Sequence, residues 1–151
     1  MSERTPLMIG GCQCGAVRYA LYAEPKSPSI CHCRMCQRAM AGPFLASAPV
    51  DANDFAWTKG TPKTYASSSK GHRDFCADCG TQLAFRTPGS ATVDITIATL
   101  DDPSKVKPVR QIGMESHLPW ALDLTSLPAK TTEENAGADF LRDLVSYQDK
   151  P

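Results

Sequence analysis

Cys12-Gln-Cys14-Gly15, Cys31-His-Cys33-Arg-Met-Cys36 and Cys76-Ala-Asp-Cys79-Gly80 contain every cysteine of the chain, seven in all. An odd set cannot pair completely, and cysteines one or two residues apart make poor structural disulfides. At about 5% of the residues they also fall short of the roughly 8–10% that marks a disulfide scaffold. The same short spacings let several thiolates converge on one ion at the ~2.3 Å of a zinc–sulfur bond. The pattern therefore predicts a fold built around metal, with zinc as the metal.

A structural zinc takes four ligands, whereas a catalytic one keeps three protein ligands and an open position. Seven cysteines divide in that way. The first and third clusters each end in Cys-Gly, where glycine admits the left-handed turn that aims backbone N–H groups at a metal-bound sulfur. Cys36 is followed by Gln37 instead. Cys12, Cys14, Cys76 and Cys79 are thus assigned to a closed structural zinc, and Cys31, Cys33 and Cys36 to an open, catalytic one. One zinc with three thiolates is a net anion, and a thiolate in the fourth position makes it more so. Cations are needed nearby, and Arg34, Arg38, Lys70, His72 and Arg73 are the candidates, with His32 inside the cluster. A metal at such a position lowers the pKa of a bound thiol or water, so the nucleophilic form exists at neutral pH.

Other readings of these residues stay open. The middle cluster reads also as a reactive thiol cluster without metal, or as a second structural zinc completed by His32, His72 or His117. Arg34, Arg38 and Arg73 read also as solvated surface charges, and Trp57 and Trp120 as core or pocket walls.

The rest of the chain bounds the setting. Its 151 residues suit a single domain, and 16 Lys+Arg against 16 Asp+Glu leave no net field to draw in nucleic acid or an anionic membrane. No apolar run approaches the roughly 20 residues of a membrane span, and MSERTPLMIGG lacks the apolar core of a signal peptide, so a cytoplasmic location is expected. Alternating apolar residues predict strands around Val17-Arg-Tyr19-Ala-Leu21, Phe44–Val50, Gln82–Arg86 and Thr92–Thr99, punctuated by prolines. A short helical turn is expected after Cys36, ending before Pro43, and Ser67-Ser-Ser-Lys-Gly71 reads as a turn. Near the end, Thr132 is placed to cap a helix over about residues 133–146 with Phe140, Leu141, Leu144 and Val145 on one face. Beyond Tyr147 the chain is expected to fray.

Gly11-Cys-Gln-Cys-Gly15, Cys31-His-Cys-Arg-Met-Cys36, Phe75-Cys-Ala-Asp-Cys-Gly80, Ala98-Thr-Leu-Asp-Asp-Pro103 and Ser116-His-Leu-Pro-Trp120 together resemble the glutathione-dependent formaldehyde-activating enzyme family, which includes the centromere protein V domain. The resemblance runs from about Gly10 to Pro128. It implies a mainly β, tent-like zinc fold of small antiparallel sheets and the same division of the cysteines. It also implies a carbon–sulfur lyase activity in which glutathione adds to formaldehyde to give S-hydroxymethylglutathione. The substrate is then glutathione or another small thiol; by their charge rather than by the resemblance, Arg34, Arg38 and Arg73 are offered to its carboxylates. The family often has a histidine and an aromatic where this chain reads Gln111-Ile-Gly-Met, so the pocket is expected to differ there. The centromere relative supplies a rival from another class, a zinc-stabilised binding module without chemistry. A metal-free thiol redox protein is a third expectation.

Overall fold

In a computed structural model, which describes residues 4–150, ten strands form two sheets. In chain order they are β1 (Met8–Gly11), β2 (Arg18–Leu21), β3 (Ser29–Cys31), β4 (Leu45–Asp51), β5 (Phe55–Lys59), β6 (Lys63–Ser68), β7 (Gly71–Phe75), β8 (Gln82–Arg86), β9 (Thr92–Thr96) and β10 (Arg110–Ile112). The smaller sheet runs β1-β2-β5 and the larger runs β10-β3-β4-β9-β8-β7-β6. Pairing is antiparallel throughout except for β10, which lies parallel to β3. A parallel neighbour needs a long connection, and the loop from β9 to β10 provides it. The mainly β expectation is met, and no helix among the described residues is long and apolar enough to cross a membrane.

The larger sheet has two unlike faces, because cross-strand partners point the same way and residues alternate along each strand. Ala48 pairs with Ile95, Ile95 with Ala84, and Val50 with Val93. These apolar residues pack with Val17, just before β2, and with Tyr19 and Leu21 of the smaller sheet into one core. Leu21, Leu83 and Ile95 are fully buried there, and each such side chain stabilises the fold by about 1.5–3 kcal/mol relative to exposure. Phe55 and Trp57 cover Tyr19 with ring centroids 5.6 and 6.1 Å away, while the Tyr19 hydroxyl finds Thr99 Oγ1 at 2.8 Å. Trp57 is thus a core wall, as expected.

The opposite face carries a lateral row of a different kind. Tyr65 lies opposite Arg73, Arg73 opposite Phe85, Phe85 opposite Asp94, and Asp94 opposite Pro49. Ser47, Ser29 and Arg110 continue this face toward β10, and Cys31 lies two residues beyond Ser29 on the same side. A slip of one residue in register would exchange the faces and bury the polar one, so the apolar alternation also fixes where the cysteine-bearing face looks.

Helix α1 (Arg34–Met40) begins inside the middle cysteine cluster rather than after it. Cys33 is its N-cap, its sulfur accepting the Cys36 N–H at 3.4 Å as a serine or threonine oxygen commonly does. At the C-terminus the predicted single helix is divided into α2 (Thr132–Ala136) and α3 (Ala138–Asp143). Thr131, not Thr132, caps the first, through a capping box with Glu134. Gly137 takes φ 87 and ψ 151, which no α-helix contains, so the two turns cannot fuse. Phe140, Leu144 and Val145 consequently remain exposed instead of forming a packed stripe. Beyond Tyr147, Asp149 is held rather than frayed: its N–H donates to Gln13 O at 2.7 Å and its carboxylate reaches Arg18 at 3.5 Å.

Candidate metal centres and their cavity

Two groups of sulfurs converge among the described residues, and they are the two inferred from spacing. Cys12, Cys14, Cys76 and Cys79 form one and Cys31, Cys33 and Cys36 the other, with the sulfurs of each group within 4.8 Å of one another. A tetrahedron with ~2.3 Å metal–sulfur bonds places its sulfurs ~3.8 Å apart. The Cys12–Cys14 and Cys14–Cys76 sulfurs stand at 3.6 and 3.8 Å.

The closed group joins the β1–β2 loop to the β7–β8 turn, so it ties one sheet to the other. Gly15 and Gly80 have φ of 75° and 77°, the left-handed turns that the two Cys-Gly pairs imply. The Val17 N–H donates to the Cys12 sulfur at 3.2 Å. Thr81, unremarked in the sequence, organises the other end: its hydroxyl accepts the Gln13 N–H at 3.0 Å and stands 3.2 Å from the Cys79 sulfur. Burial works to raise the Cys79 thiol, but the Thr81 hydroxyl and N–H and the Cys14 backbone outweigh it and bring the thiol down to about 6. Four sulfurs this close cannot all ionise without a cation among them, and the donor set and spacing fit zinc.

The open group sits where β3 runs into α1. Burial and its two sulfur neighbours push the Cys31 thiol up to about 12, against the Cys33 N–H. Cys33 is lowered, because backbone N–H groups of Cys36 and Met35 and the neighbouring sulfurs overcome its burial. Arg73, 5% exposed, places Nη2 at 3.6 Å from the Cys36 sulfur and its guanidinium carbon 5.0 Å from the centre of the Phe85 ring. Its Nη1 is buried and has no hydrogen-bond partner among the described residues.

No histidine completes this group. His32 is fully buried, with Nε2 at 2.8 Å from Gln111 Oε1. His117 donates from Nδ1 to Met114 O at 2.6 Å, and His72 alternates with Arg73 on β7 and so faces the other way. The histidine-completed alternative is therefore set aside on geometry: none of the three belongs to the cluster. Gln111, the residue that departs from the expected histidine, serves as the partner of His32.

Gln37, which follows Cys36 where the other clusters have glycine, braces the loop around the middle cluster through its side chain. Buried on α1, it donates from Nε2 to His32 O at 2.8 Å and Ser116 O at 2.9 Å, and accepts from Arg34 Nη1 at 2.9 Å. Gly113, with φ of 68°, backs the same loop, and a Cβ there would lie 2.6 Å from the Cys33 backbone nitrogen. Gly113→Ala is expected to cost about 1–3 kcal/mol of stability and to lower metal content at the open group while the closed group stays filled. Elemental analysis with chemical denaturation checks this.

Cys31, Cys33 and Cys36 border a cavity of about 370 Å³ that also receives Lys70, Arg73, Asp94 and Arg110. Of the three arginines drawn from sequence, only Arg73 lines it. Arg38 lines an adjoining groove of about 860 Å³, which shares Met35, Ser67 and Arg73 with the cavity. Arg34 lies on the outer side of α1, where it and Arg38 border a shallow groove with Trp120. Trp120 is a groove wall and is 58% exposed. Asp94 and Arg110 gave no signal in the sequence: they are isolated charges that only strand register brings to the cysteines.

Comparison with known proteins identifies the family and the fold. The family description "Glutathione-dependent formaldehyde-activating enzyme" matches residues 7–116. The chain is 36% identical over 80 residues to a Schizosaccharomyces pombe protein described as an uncharacterized lyase, an alignment covering 53% of this chain and 58% of that protein. The chain thus spans less than two-thirds of that relative's length. A crystal structure of a Rhodobacter sphaeroides protein, a structural genomics target, shares the fold with a TM-score of 0.56 at 22% identity, covering 69% of this chain and 99% of that one. Because the family match takes in both sheets and all three cysteine clusters, the chain belongs to the glutathione-dependent formaldehyde-activating enzyme family.

Proposed function

We propose that the protein is a zinc-dependent carbon–sulfur lyase-like enzyme that joins glutathione or another small thiol to an aldehyde such as formaldehyde, and runs the reverse. The observation that carries this reading is the three-cysteine group bordering a cavity beside a buried arginine with a free N–H. Cys31, Cys33 and Cys36 would hold the catalytic zinc, and Cys12, Cys14, Cys76 and Cys79 the structural one. Zinc bound there would lower the pKa of a thiol or water in the fourth position.

The chain's own residues bind and orient. Arg73 offsets the negative charge of the sulfurs through Cys36 and has a second N–H free for an anionic ligand group. Arg38 and Lys63 line the adjoining groove, whose lining contains no acidic residue, and they suit the carboxylates of a tripeptide thiol. Arg34 stays a candidate only for a ligand long enough to pass around α1. Holding sulfur and carbonyl carbon side by side in a cavity makes the addition effectively intramolecular.

Arg73→Met is expected to remove one or two charge-assisted hydrogen bonds of about 1.5–3 kcal/mol each, and hence to lower kcat/KM at least tenfold with the fold retained. Steady-state kinetics beside circular dichroism checks it. The reading itself is tested by mixing metal-replete protein with glutathione and formaldehyde and following adduct exchange by NMR. Exchange faster than the uncatalysed rate supports it, and an unaltered rate overturns it.

A further inference from the structure

We infer that Asp94 is the proton-transfer group of the three-cysteine cavity, taking the proton from the thiol and returning it to the oxygen of the adduct. The inference deepens the thiol–aldehyde reading above and rests on it. Adding a thiol to an aldehyde forms one S–C bond, breaks the C=O π bond and moves one proton from sulfur to oxygen. The Asp94 carboxylate accepts the proton that the thiol gives up, and the sulfur electron pair then attacks the carbonyl carbon. The π pair goes to oxygen, which then takes the proton back from the carboxylic acid. Asp94 ends as it began and no other reactant is consumed; the cleavage direction uses the same steps in reverse.

Among the described residues, Asp94 is the only carboxylate lining the cavity. It stands on the central strand β9, directly opposite Phe85 and one strand farther from Arg73, on the face that carries Cys31. Aspartate is disfavoured inside strands, and a half-buried carboxylate needs compensation. Yet the Asp94 carboxylate makes no hydrogen bond or ion pair among the described residues, whereas that of the fully buried Asp74 on β7 is held by Arg86 at 2.6 Å and by the Thr64 hydroxyl at 2.6 Å. An acid without a structural partner, facing the cysteines' cavity, is the pattern of a working group.

The charged groups around it are Arg110 from β10, Arg73 from β7 and Lys70 from the β6–β7 turn, with the three cysteines across the cavity. On β4, Asp51 lies two residues past Pro49 and is occupied by Lys26 at 2.7 Å. Burial raises the Asp94 carboxyl above the usual carboxylate range and Arg110 draws it partly back, so it can hold a proton nearer neutral pH than an exposed aspartate. The arginines cannot release one.

Asp94→Asn preserves shape and removes the proton carrier. General acid–base catalysis contributes roughly 10²–10⁴-fold, so kcat for adduct exchange is expected to fall at least ~100-fold with KM within a few-fold. Metal content and circular dichroism should be unchanged, and Asp94→Glu should recover part of the rate. Independently of turnover, carbon NMR of the metal-replete protein should show the Asp94 carboxyl, assigned by its absence in the variant, titrating above the ordinary value of about 3.9. A midpoint at or below that value overturns the inference. An active wild type with an equally fast Asp94→Asn variant overturns it alone, as does a variant with intact kcat and raised KM only for thiols carrying a free α-ammonium, which makes Asp94 a ligand-binding group. A wild type that accelerates nothing overturns the thiol–aldehyde reading and this inference together.

Discussion

Cys76→Ser is expected to abolish cooperative folding. Cys76 is 1% exposed and belongs to the four-sulfur group that joins the β1–β2 loop to the β7–β8 turn. A structural zinc contributes an apparent ~10–16 kcal/mol in small metal-built domains, whereas whole domains are stable by only about 5–15 kcal/mol. Losing one of four ligands therefore removes an amount comparable to the entire stability. Far-UV circular dichroism through a thermal scan should show no cooperative transition for the variant, and a strong chelator should do the same to the unaltered protein. A variant that melts within a few degrees of the unaltered protein would show that the metal is dispensable to the fold.

Cys36→Ser is expected to separate from this in every respect. Cys36 lies on α1 against Arg73, away from the junction of the sheets, and its group has three sulfurs rather than four. The variant should keep the wild-type spectrum, lose one equivalent of metal and lose at least ~100-fold in thiol-dependent exchange, as befits a residue acting in a unit. Elemental analysis and the NMR exchange assay read the two losses together. Unfolding of Cys36→Ser would instead make the middle cluster a second structural site.

Much of this is legible in the amino-acid sequence. Short cysteine spacings, the two Cys-Gly turns and the alternation at Val17, Tyr19, Leu21, Val93 and Ile95 identify local constraints, and local constraints survive folding unchanged. The division of seven sulfurs into four and three follows from the same local chemistry. What could not be read depends on register. Arg73, Phe85 and Asp94 form a row because β7, β8 and β9 pair with particular offsets, including an irregularity between Asp74 and Phe75 that no composition reveals. Arg34 and Arg38 appeared equivalent to Arg73 because sequence proximity to Cys33 and Cys36 stood in for spatial proximity. On a helix, adjacent residues diverge, and α1 turns both arginines away from the cavity while Cys36 faces inward. The expected C-terminal helix is present but divided at Gly137, a residue that costs about 1 kcal/mol in a helix interior and here adopts an extended, positive-φ conformation. Docking of Asp149 on Gln13 and Arg18 links segments 131 residues apart and has no local signature at all.

The central claim is that one chain holds a closed four-sulfur site and an open three-sulfur site. Metal content of the natively purified protein tests it most directly: two zinc ions per chain are expected, one of which is lost in Cys36→Ser with the fold retained. One zinc per chain, with Cys31, Cys33 and Cys36 titrating as free thiols in the folded protein, would contradict it.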